Sequence, residues 1–170
     1  MIFKILEKTF LIFSNILLSL PFTLLGFSKF NPSELKADWQ PPGFVFGIVW
    51  PILYLLFSVI NIRTLTLSKF TDSLKSLLIK QSLNEALLQT LWLAITSNYG
   101  TERKFIQYIF GGFVMIYLVA YCYLKRRPTL KLTDSTSFYL YQPYTIWISF
   151  ALILNIQLIY KYYKSNKPLF

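Results

Sequence analysis

Residues 39–61 read Trp-Gln-Pro-Pro-Gly-Phe-Val-Phe-Gly-Ile-Val-Trp-Pro-Ile-Leu-Tyr-Leu-Leu-Phe-Ser-Val-Ile-Asn, and this stretch decides how the whole chain is interpreted. Pro41 and Pro42 precede an apolar run that carries no charge before Arg63. Proline is well placed in the first turn of a helix, because its missing N–H would have no partner there. The stretch therefore predicts a membrane-spanning helix that begins next to the proline pair.

An aromatic wall runs along this helix, because Phe46, Trp50 and Tyr54 follow one another at intervals of four. Residues four apart lie on the same side of an α-helix, so the wall carries an indole N–H and a phenol O–H in one direction. A helix that faces only lipid has no use for such polar groups. The wall therefore predicts a side that faces the interior of a bundle.

Composition identifies the class of protein. Of the 170 residues, 55% are hydrophobic and only 14% are charged, whereas soluble domains are about 25% charged. The net charge of +10 comes from Lys and Arg at the ends of apolar segments. Such basic flanks are typical of membrane boundaries rather than of a nucleic-acid surface. We therefore expect a multi-pass integral membrane protein that lies in a lipid bilayer and binds no nucleic acid.

Residues for conventional catalysis are scarce in this chain. Histidine is absent and Cys122 is the single cysteine, which removes the commonest general base and most metal ligand sets. The sequence also lacks a glycine-rich phosphate loop and a pair of close carboxylates. We therefore expect no metal site, no cofactor and no ordinary acid–base chemistry.

Five segments are long enough to cross the hydrocarbon core, which takes about 20 helical residues. They predict an all-α fold, an integral membrane bundle of five transmembrane helices in a single domain over residues 1–170. The predicted helices cover residues 5–27, 43–66, 74–98, 103–125 and 137–163. Three basic residues at 125–127 mark the end of the fourth helix, so a loop is expected over residues 125–136.

The third predicted helix contains Glu85, for which two interpretations stand. An intramembrane carboxylate normally faces a bundle interior or water. The alternative, which the sequence favours, is an interfacial glutamate on the last turn before the aqueous phase.

Two further helices carry aromatic and polar residues on one side. Gln89 and Trp92 are three apart, and Tyr144, Trp147, Ala151 and Asn155 follow one face at steps of three and four. Amides and indoles at mid-depth need partners, because an unsatisfied polar group in hydrocarbon is costly. The faces either satisfy one another in a closed network or surround a ligand, and the large rings favour a pocket for a flat apolar molecule.

Two weaker patterns concern contacts with sterols and with other helices. Leu158, Tyr160 and Lys164 fit the loose sterol-contact pattern, although an interfacial belt of Tyr and Lys explains them equally well. Gly111 and Gly112 allow a close approach of another helix, within the chain or between chains.

The stretch around the aromatic wall closely resembles the signature of the TspO/MBR family. Residues 36–54 read Lys-Ala-Asp-Trp-Gln-Pro-Pro-Gly-Phe-Val-Phe-Gly-Ile-Val-Trp-Pro-Ile-Leu-Tyr, against the family pattern Lys-Pro-x-Trp-x-Pro-Pro followed by Phe and Trp-x-x-x-Tyr. Residues 88–92, Leu-Gln-Thr-Leu-Trp, resemble the family's Leu-Asn-x-x-Trp. Residues 144–155 resemble its Tyr-Leu-x-Trp and Leu-Asn blocks. Ala37 stands where the family has proline, and Gln89 where it has asparagine.

The resemblance implies a five-helix bundle, often a homodimer, that binds porphyrin or haem-like molecules, sterols and synthetic aromatic ligands under its first loop. The membrane would be the cell inner membrane or, depending on the host, the mitochondrial outer or endoplasmic reticulum membrane. By position, the implied ligand-binding residues are Trp39, Pro41, Phe46, Trp50, Tyr54, Gln89, Trp92, Trp147, Ala151 and Asn155. Ala37 should loosen the loop, because it lacks the rigidity of proline.

Three functions are consistent with these observations. The first is a receptor or carrier for porphyrins, sterols and similar flat hydrophobic ligands. The second is a light-dependent porphyrin-degrading enzyme, which the resemblance implies would use Trp50 and Trp147 as catalytic residues. The third is a non-catalytic membrane scaffold or stress regulator whose aromatic faces pack only on one another.

Overall fold

A computed structural model describes residues 2–28, 37–96 and 104–165, with side chains for residues 6–19, 37–96 and 106–165. Within these ranges every regular element is helical, which confirms the all-α prediction. The elements are α1 (Ile2–Ser28), α2 (Gly43–Thr66), α3 (Asp72–Thr96), α4 (Lys104–Tyr121), a π-helical turn (Cys122–Arg126), α5 (Arg127–Thr133) and α6 (Ser135–Ser165). Because α4, the π turn and α5 follow one another without a break, the described helices form five rods, which roughly match the five predicted helices.

Three helical stretches of the described chain are long and apolar enough to cross a membrane: Gly43–Thr66, Ile106–Thr133 and Ser135–Ser165. This supports the assignment as an integral membrane protein. The third predicted span is not among them, since α3 carries Lys75, Lys80 and Glu85. The first, α1, has described side chains only over residues 6–19. Residues 97 and 98, at the predicted end of the third helix, lie outside the described part.

The prediction of a loop over residues 125–136 is wrong for most of its length. The helix continues through the π turn into α5 and ends only at Thr133. In the π turn the backbone N–H of Arg127 donates to the carbonyl of Cys122, five residues earlier. The basic residues at 125–127 do not end the helix, because Arg126 points inward and is fully buried.

The helices pack around a core of large rings and aliphatic side chains. α3 lies against α1 and α4, α4 against α6, and α2 against α1 and α6. Phe57 of α2 is 1% exposed, and its ring centroid lies 4.5 Å from that of Tyr144 and 5.8 Å from that of Tyr141. Edge-to-face contacts of this kind stabilise a core beyond the apolar area that they bury. They fix the position of α6 relative to α2.

The glycine pair of α4 brings this helix close to its neighbours within the chain. A Cβ atom added to Gly112 would lie 2.8 Å from Asn155 Oδ1, and one added to Gly111 would lie 3.0 Å from Thr96 Cγ2. Any larger residue would therefore displace the Asn155 amide or the Thr96 methyl group. The pair places α6, with Asn155, directly against the backbone of α4.

A salt bridge connects the C-terminal end of α2 to the junction of α5 and α6. Arg63 binds Asp134 with two hydrogen bonds, Nε–Oδ2 at 3.0 Å and Nη2–Oδ1 at 2.9 Å. The hydroxyl of Ser137 donates to the same carboxylate at 2.6 Å. Burial opposes the charge of Asp134, but these hydrogen bonds outweigh it and lower the pKa of Asp134 to about 2. We call this group the Arg63–Asp134 clamp.

Candidate functional site

The aromatic wall of α2 faces the bundle interior as its spacing predicts. Trp50 and Tyr54 are only 8% and 7% exposed, and their rings stack with centroids 5.8 Å apart. Phe46, one turn earlier, is half-buried. The apolar residues between them, such as Ile48 and Ile52, point outward and are exposed. This division follows from the helical period and leaves the rings on the protein side.

Rings from two other helices meet this wall at Trp50. The indole of Trp92 on α3 lies 6.2 Å from that of Trp50, and the indole of Trp147 on α6 lies 6.3 Å from it, nearly perpendicular. Trp147 also contacts Phe46, with centroids 5.5 Å apart. Residues that are distant in sequence thus form one group, the aromatic cluster, made of Phe46, Trp50, Tyr54, Trp92 and Trp147.

The segment before α2 covers one side of this cluster. The ring of Trp39 makes an edge contact with Phe150 at 5.5 Å, and Phe150 stacks on Trp147 at 5.2 Å. Asp38 accepts hydrogen bonds from Gln157, at 3.1 Å, and from Lys161. Residues 37–40 therefore form a strap that is tied to α6. Phe150 is not among the ligand-binding residues that the sequence predicts, although its three-residue spacing from Trp147 indicates the same helix face.

The strap contains Ala37, which stands where the family pattern has proline, and its backbone N–H forms a hydrogen bond. The N–H of Ala37 donates to Gln40 Oε1 at 3.3 Å, and the N–H of Gln40 donates to the Ala37 carbonyl at 3.1 Å. Proline has no N–H and could not form the first of these bonds. Ala37 thus gains a hydrogen bond where only a looser loop is expected from the lost proline. Pro41 follows, half-buried, at the entry to α2.

Gln89 occupies the middle of a closed hydrogen-bonded group. Its Nε2 donates to the Tyr54 hydroxyl at 2.7 Å, and its Oε1 accepts from the Tyr144 hydroxyl at 3.2 Å. All three side chains are buried. Both ends of the amide are therefore partnered, so Gln89 supports the walls of the site rather than presenting a free group. At Gln89 the polar side chains satisfy one another, as the closed-network alternative describes.

Three other polar atoms have no such partner within the described residues. They are the indole nitrogens Nε1 of Trp92 and Trp147 and the amide oxygen of Asn155, all buried. Asn155 is 4% exposed and lies beside Gly111, where Trp92 Cδ1 also approaches. Buried polar groups are almost always hydrogen-bonded in folded proteins. The site therefore offers two N–H donors and one acceptor that the described chain leaves unused.

The remaining predicted residues divide into two groups. Ala151, 4% exposed, lies on the inner face of α6 between Trp147 and Asn155. The weak sterol-contact residues do not join the cluster: Tyr160 is 62% exposed, and Lys164 is exposed near the end of α6. Leu158 is half-buried. Their exposure is consistent with both the sterol contact and the interfacial belt, so both interpretations stand.

Glu85 lies on the inner side of α3. The residue is fully buried, and its Oε1 accepts a hydrogen bond from the Tyr141 hydroxyl at 2.5 Å. The carboxylate therefore faces the bundle interior, which is the first of the two interpretations. The reason is that α3 turns this side toward α6 and the π turn, which sequence spacing on α3 alone does not reveal.

Comparisons with known proteins agree with the sequence pattern. The model of the TspO/MBR family matches residues 12–161. The chain is also similar to Protein CrtK of Rhodobacter capsulatus, with 25% identity over 134 residues that cover 79% of this chain and 78% of that protein. The family match includes α2, α3 and most of α6, and with them every ring of the aromatic cluster.

Proposed function

The chain belongs to the TspO/MBR family, and from this premise we propose that it is a membrane receptor or carrier for flat hydrophobic ligands, porphyrins and sterols foremost. The ligand would bind at the aromatic cluster, beneath the strap of residues 37–40. The homodimer that the family resemblance implies is part of the same proposal.

The observation that carries this proposal is the pair of unused indole N–H groups in the aromatic cluster, together with the unused oxygen of Asn155 at the adjoining contact with α4. Trp92 and Trp147 each hold a buried N–H without a partner among the described residues, and Asn155 holds a buried carbonyl oxygen. Leaving such a group unsatisfied costs about 1–3 kcal/mol. A planar apolar molecule with polar groups at its edge would satisfy them while its face stacks on the indoles.

Entry of a ligand requires the rings to separate. Neighbouring centroids in the cluster lie 5.5–6.3 Å apart, whereas a guest between two rings needs about 3.5–4.0 Å on each of its faces. The strap is the movable part, because Asp38 is 71% exposed and an exposed ion pair contributes at most about 1 kcal/mol. Trp39, 46% exposed, can move with the strap.

Titration of the purified protein with protoporphyrin tests the proposal. We expect saturable quenching of tryptophan fluorescence, because three of the four tryptophans lie in the cluster. A sterol added at saturation should compete. Quenching that rises linearly with porphyrin and never saturates would indicate partition into detergent, and it would favour the scaffold function instead.

A second function is favoured by the contact between Trp50 and Trp147, whose rings meet edge-on at 6.3 Å. Both indoles could touch one bound porphyrin during its light-dependent oxidation. In that reaction dioxygen would be the oxidant, and both of its oxygen atoms would remain in the opened macrocycle. Illumination of the complex in air should then give a new absorbing product, and Trp50→Phe with Trp147→Phe should abolish it. Equal bleaching in both proteins would exclude this activity.

A further inference from the structure

A second polar group lies inside the bundle, one turn of α3 before Gln89. It consists of Glu85 on α3, Cys122 and Arg126 in the π turn, and Tyr141 on α6, and each of these side chains is 0% exposed. Besides the Tyr141 hydroxyl, the Cys122 thiol approaches Glu85 Oε1 at 3.7 Å. Charged residues inside a membrane bundle are costly and usually serve a function.

The charges of this group are paired only loosely. Arg126 Nε lies 3.9 Å from Glu85 Oε2, and neither atom has a hydrogen-bond partner among the described residues. By comparison, the Arg63–Asp134 clamp of the same chain is a tight, bidentate arginine–carboxylate pair with hydrogen bonds of 2.9 and 3.0 Å. The separation of Glu85 and Arg126 is therefore a gap in an otherwise well-bonded region.

The unpartnered polar atoms of this region can form hydrogen bonds with water. Among the described residues, the donors Nε and Nη2 of Arg126 and the acceptor Oε2 of Glu85 have no hydrogen-bond partner. Oε1 of Gln81, one turn before Glu85 on α3, is a further acceptor without a described partner. The third nitrogen of the guanidinium, Nη1, donates to the Leu78 carbonyl and holds the side chain in place. Buried water typically makes about three hydrogen bonds to groups of this kind. Two donors and two acceptors match what one or two water molecules need.

A surface groove lies next to this region, because Asn84, Tyr121 and Lys125 of its lining are sequence neighbours of Glu85, Cys122 and Arg126. Its volume is about 450 Å³, and its polar lining consists of Lys80, Gln81, Asn84, Tyr121 and Lys125. Gln81, which lines the groove and is only 7% exposed, lies one helical turn before Glu85 on α3 and donates to the Thr129 hydroxyl at 3.1 Å. Lys80 and Lys125 line the groove, and long basic side chains of this kind reach the headgroups at the edge of the hydrocarbon core. The groove therefore opens where headgroups and water are present.

We propose that Gln81, Glu85 and Arg126 form a hydrated proton-binding site, in which the Glu85 carboxylate takes up a proton from the aqueous phase through this groove. The other ionisable groups that face Glu85 are Cys122 of the π turn, Tyr121 of α4 and, on α6, Tyr141 and Tyr144. From α2 the amide of Asn61 faces α3, where it accepts a hydrogen bond from Ser82.

Charged residues of α1 whose side chains are described, Glu7 and Lys8, are exposed. Arg126 alone among the named groups adds a positive charge near Glu85. Its incomplete pairing lets the carboxylate alternate between the ionised and the neutral form, while water keeps the guanidinium solvated in both.

Infrared difference spectroscopy of the purified, ligand-free protein tests this proposal. We expect a C=O stretching band of a protonated carboxyl group that disappears between mildly acidic and mildly alkaline pH. The band should shift when glutamate is labelled with ¹³C and when the solvent is D₂O. It should be lost in Glu85→Gln and fully retained in Glu7→Gln, which removes an exposed glutamate of α1.

Three results would overturn the proposal. The first is a band that survives Glu85→Gln, and the second is a Glu85 band that does not shift in D₂O, since the site would then be dry. The third is the absence of any titrating glutamate band in the wild-type protein, which would mean that Glu85 remains ionised against Arg126. If Glu85→Gln does not fold, Arg126→Lys should still change the pH at which the labelled band disappears, and an unchanged titration would count against the site.

Discussion

Replacing Trp50 and Trp147 together by alanine should weaken protoporphyrin binding about 100-fold. Each indole that stacks on a ligand contributes about 1.5 kcal/mol beyond its apolar area, and two of them give about 3 kcal/mol, or roughly two powers of ten in the dissociation constant. Trp50 touches both Trp92 and Trp147, so its loss removes the centre of the cluster. The fluorescence of the two remaining tryptophans reports the titration.

A matched control is available on the lipid-facing side of α4. Phe110 and Phe113 are 59% and 66% exposed, so the double variant Phe110→Ala with Phe113→Ala removes two rings without touching the cluster. Its affinity should equal that of the wild-type protein. Trp147→Phe separates stacking from hydrogen bonding, because it keeps a ring and deletes the unpartnered N–H. Wild-type affinity in the Trp50 and Trp147 double variant would contradict the assignment of the site.

Replacing Asp134 by alanine should lower the free energy of unfolding by about 2–3 kcal/mol. The substitution removes both hydrogen bonds of the Arg63–Asp134 clamp and the bond from Ser137, and hydrogen bonds to charged groups contribute about 1.5–3 kcal/mol each before solvent screening. Arg63 is 30% exposed and regains water, which limits the loss. Thermal unfolding in detergent measures it. Asp72→Ala, at an exposed acidic residue in the first turn of α3, should change stability little.

The clamp also predicts how stability depends on pH. The pKa of Asp134 is lowered to about 2 in the folded chain, below the value of about 3.9 for an unfolded aspartate. The unfolded state therefore binds the proton first as pH falls, and the stabilisation is lost between about pH 4 and pH 2. In Asp134→Asn this part of the acid transition should disappear. An identical acid transition in the variant and the wild type would show that the clamp does not contribute.

Local patterns explain what could be predicted from the sequence. The bounds of α2, residues 43–66, agree with the structure, because the proline pair at one end and Arg63 near the other punctuate the chain locally. The inward direction of Phe46, Trp50 and Tyr54 follows from a period of four within a single helix. Both features depend only on neighbours in sequence.

Contacts between distant residues explain what could not be predicted. The inward position of Glu85 depends on Tyr141, 56 residues away, and the inward position of Arg126 depends on Leu78, 48 residues away. Charged residues normally mark the end of a membrane-spanning helix, so the basic residues at 125–127 predict a loop. The strap contacts of Asp38 with α6 likewise join residues more than a hundred positions apart.

The π turn has a consequence for the whole rod that contains it. Leu118, Cys122, Arg126 and Leu130 are buried at intervals of four residues, whereas an ideal α-helix repeats every 3.6 residues. At that repeat each step of four would rotate the buried side by about 40°, and three steps would carry it about 120° around the axis. The wider turn unwinds the helix where this rotation would accumulate. The buried residues thus form one straight row along the rod, from Gly111 and Gly112 to Leu130. This row keeps Arg126 among the core side chains.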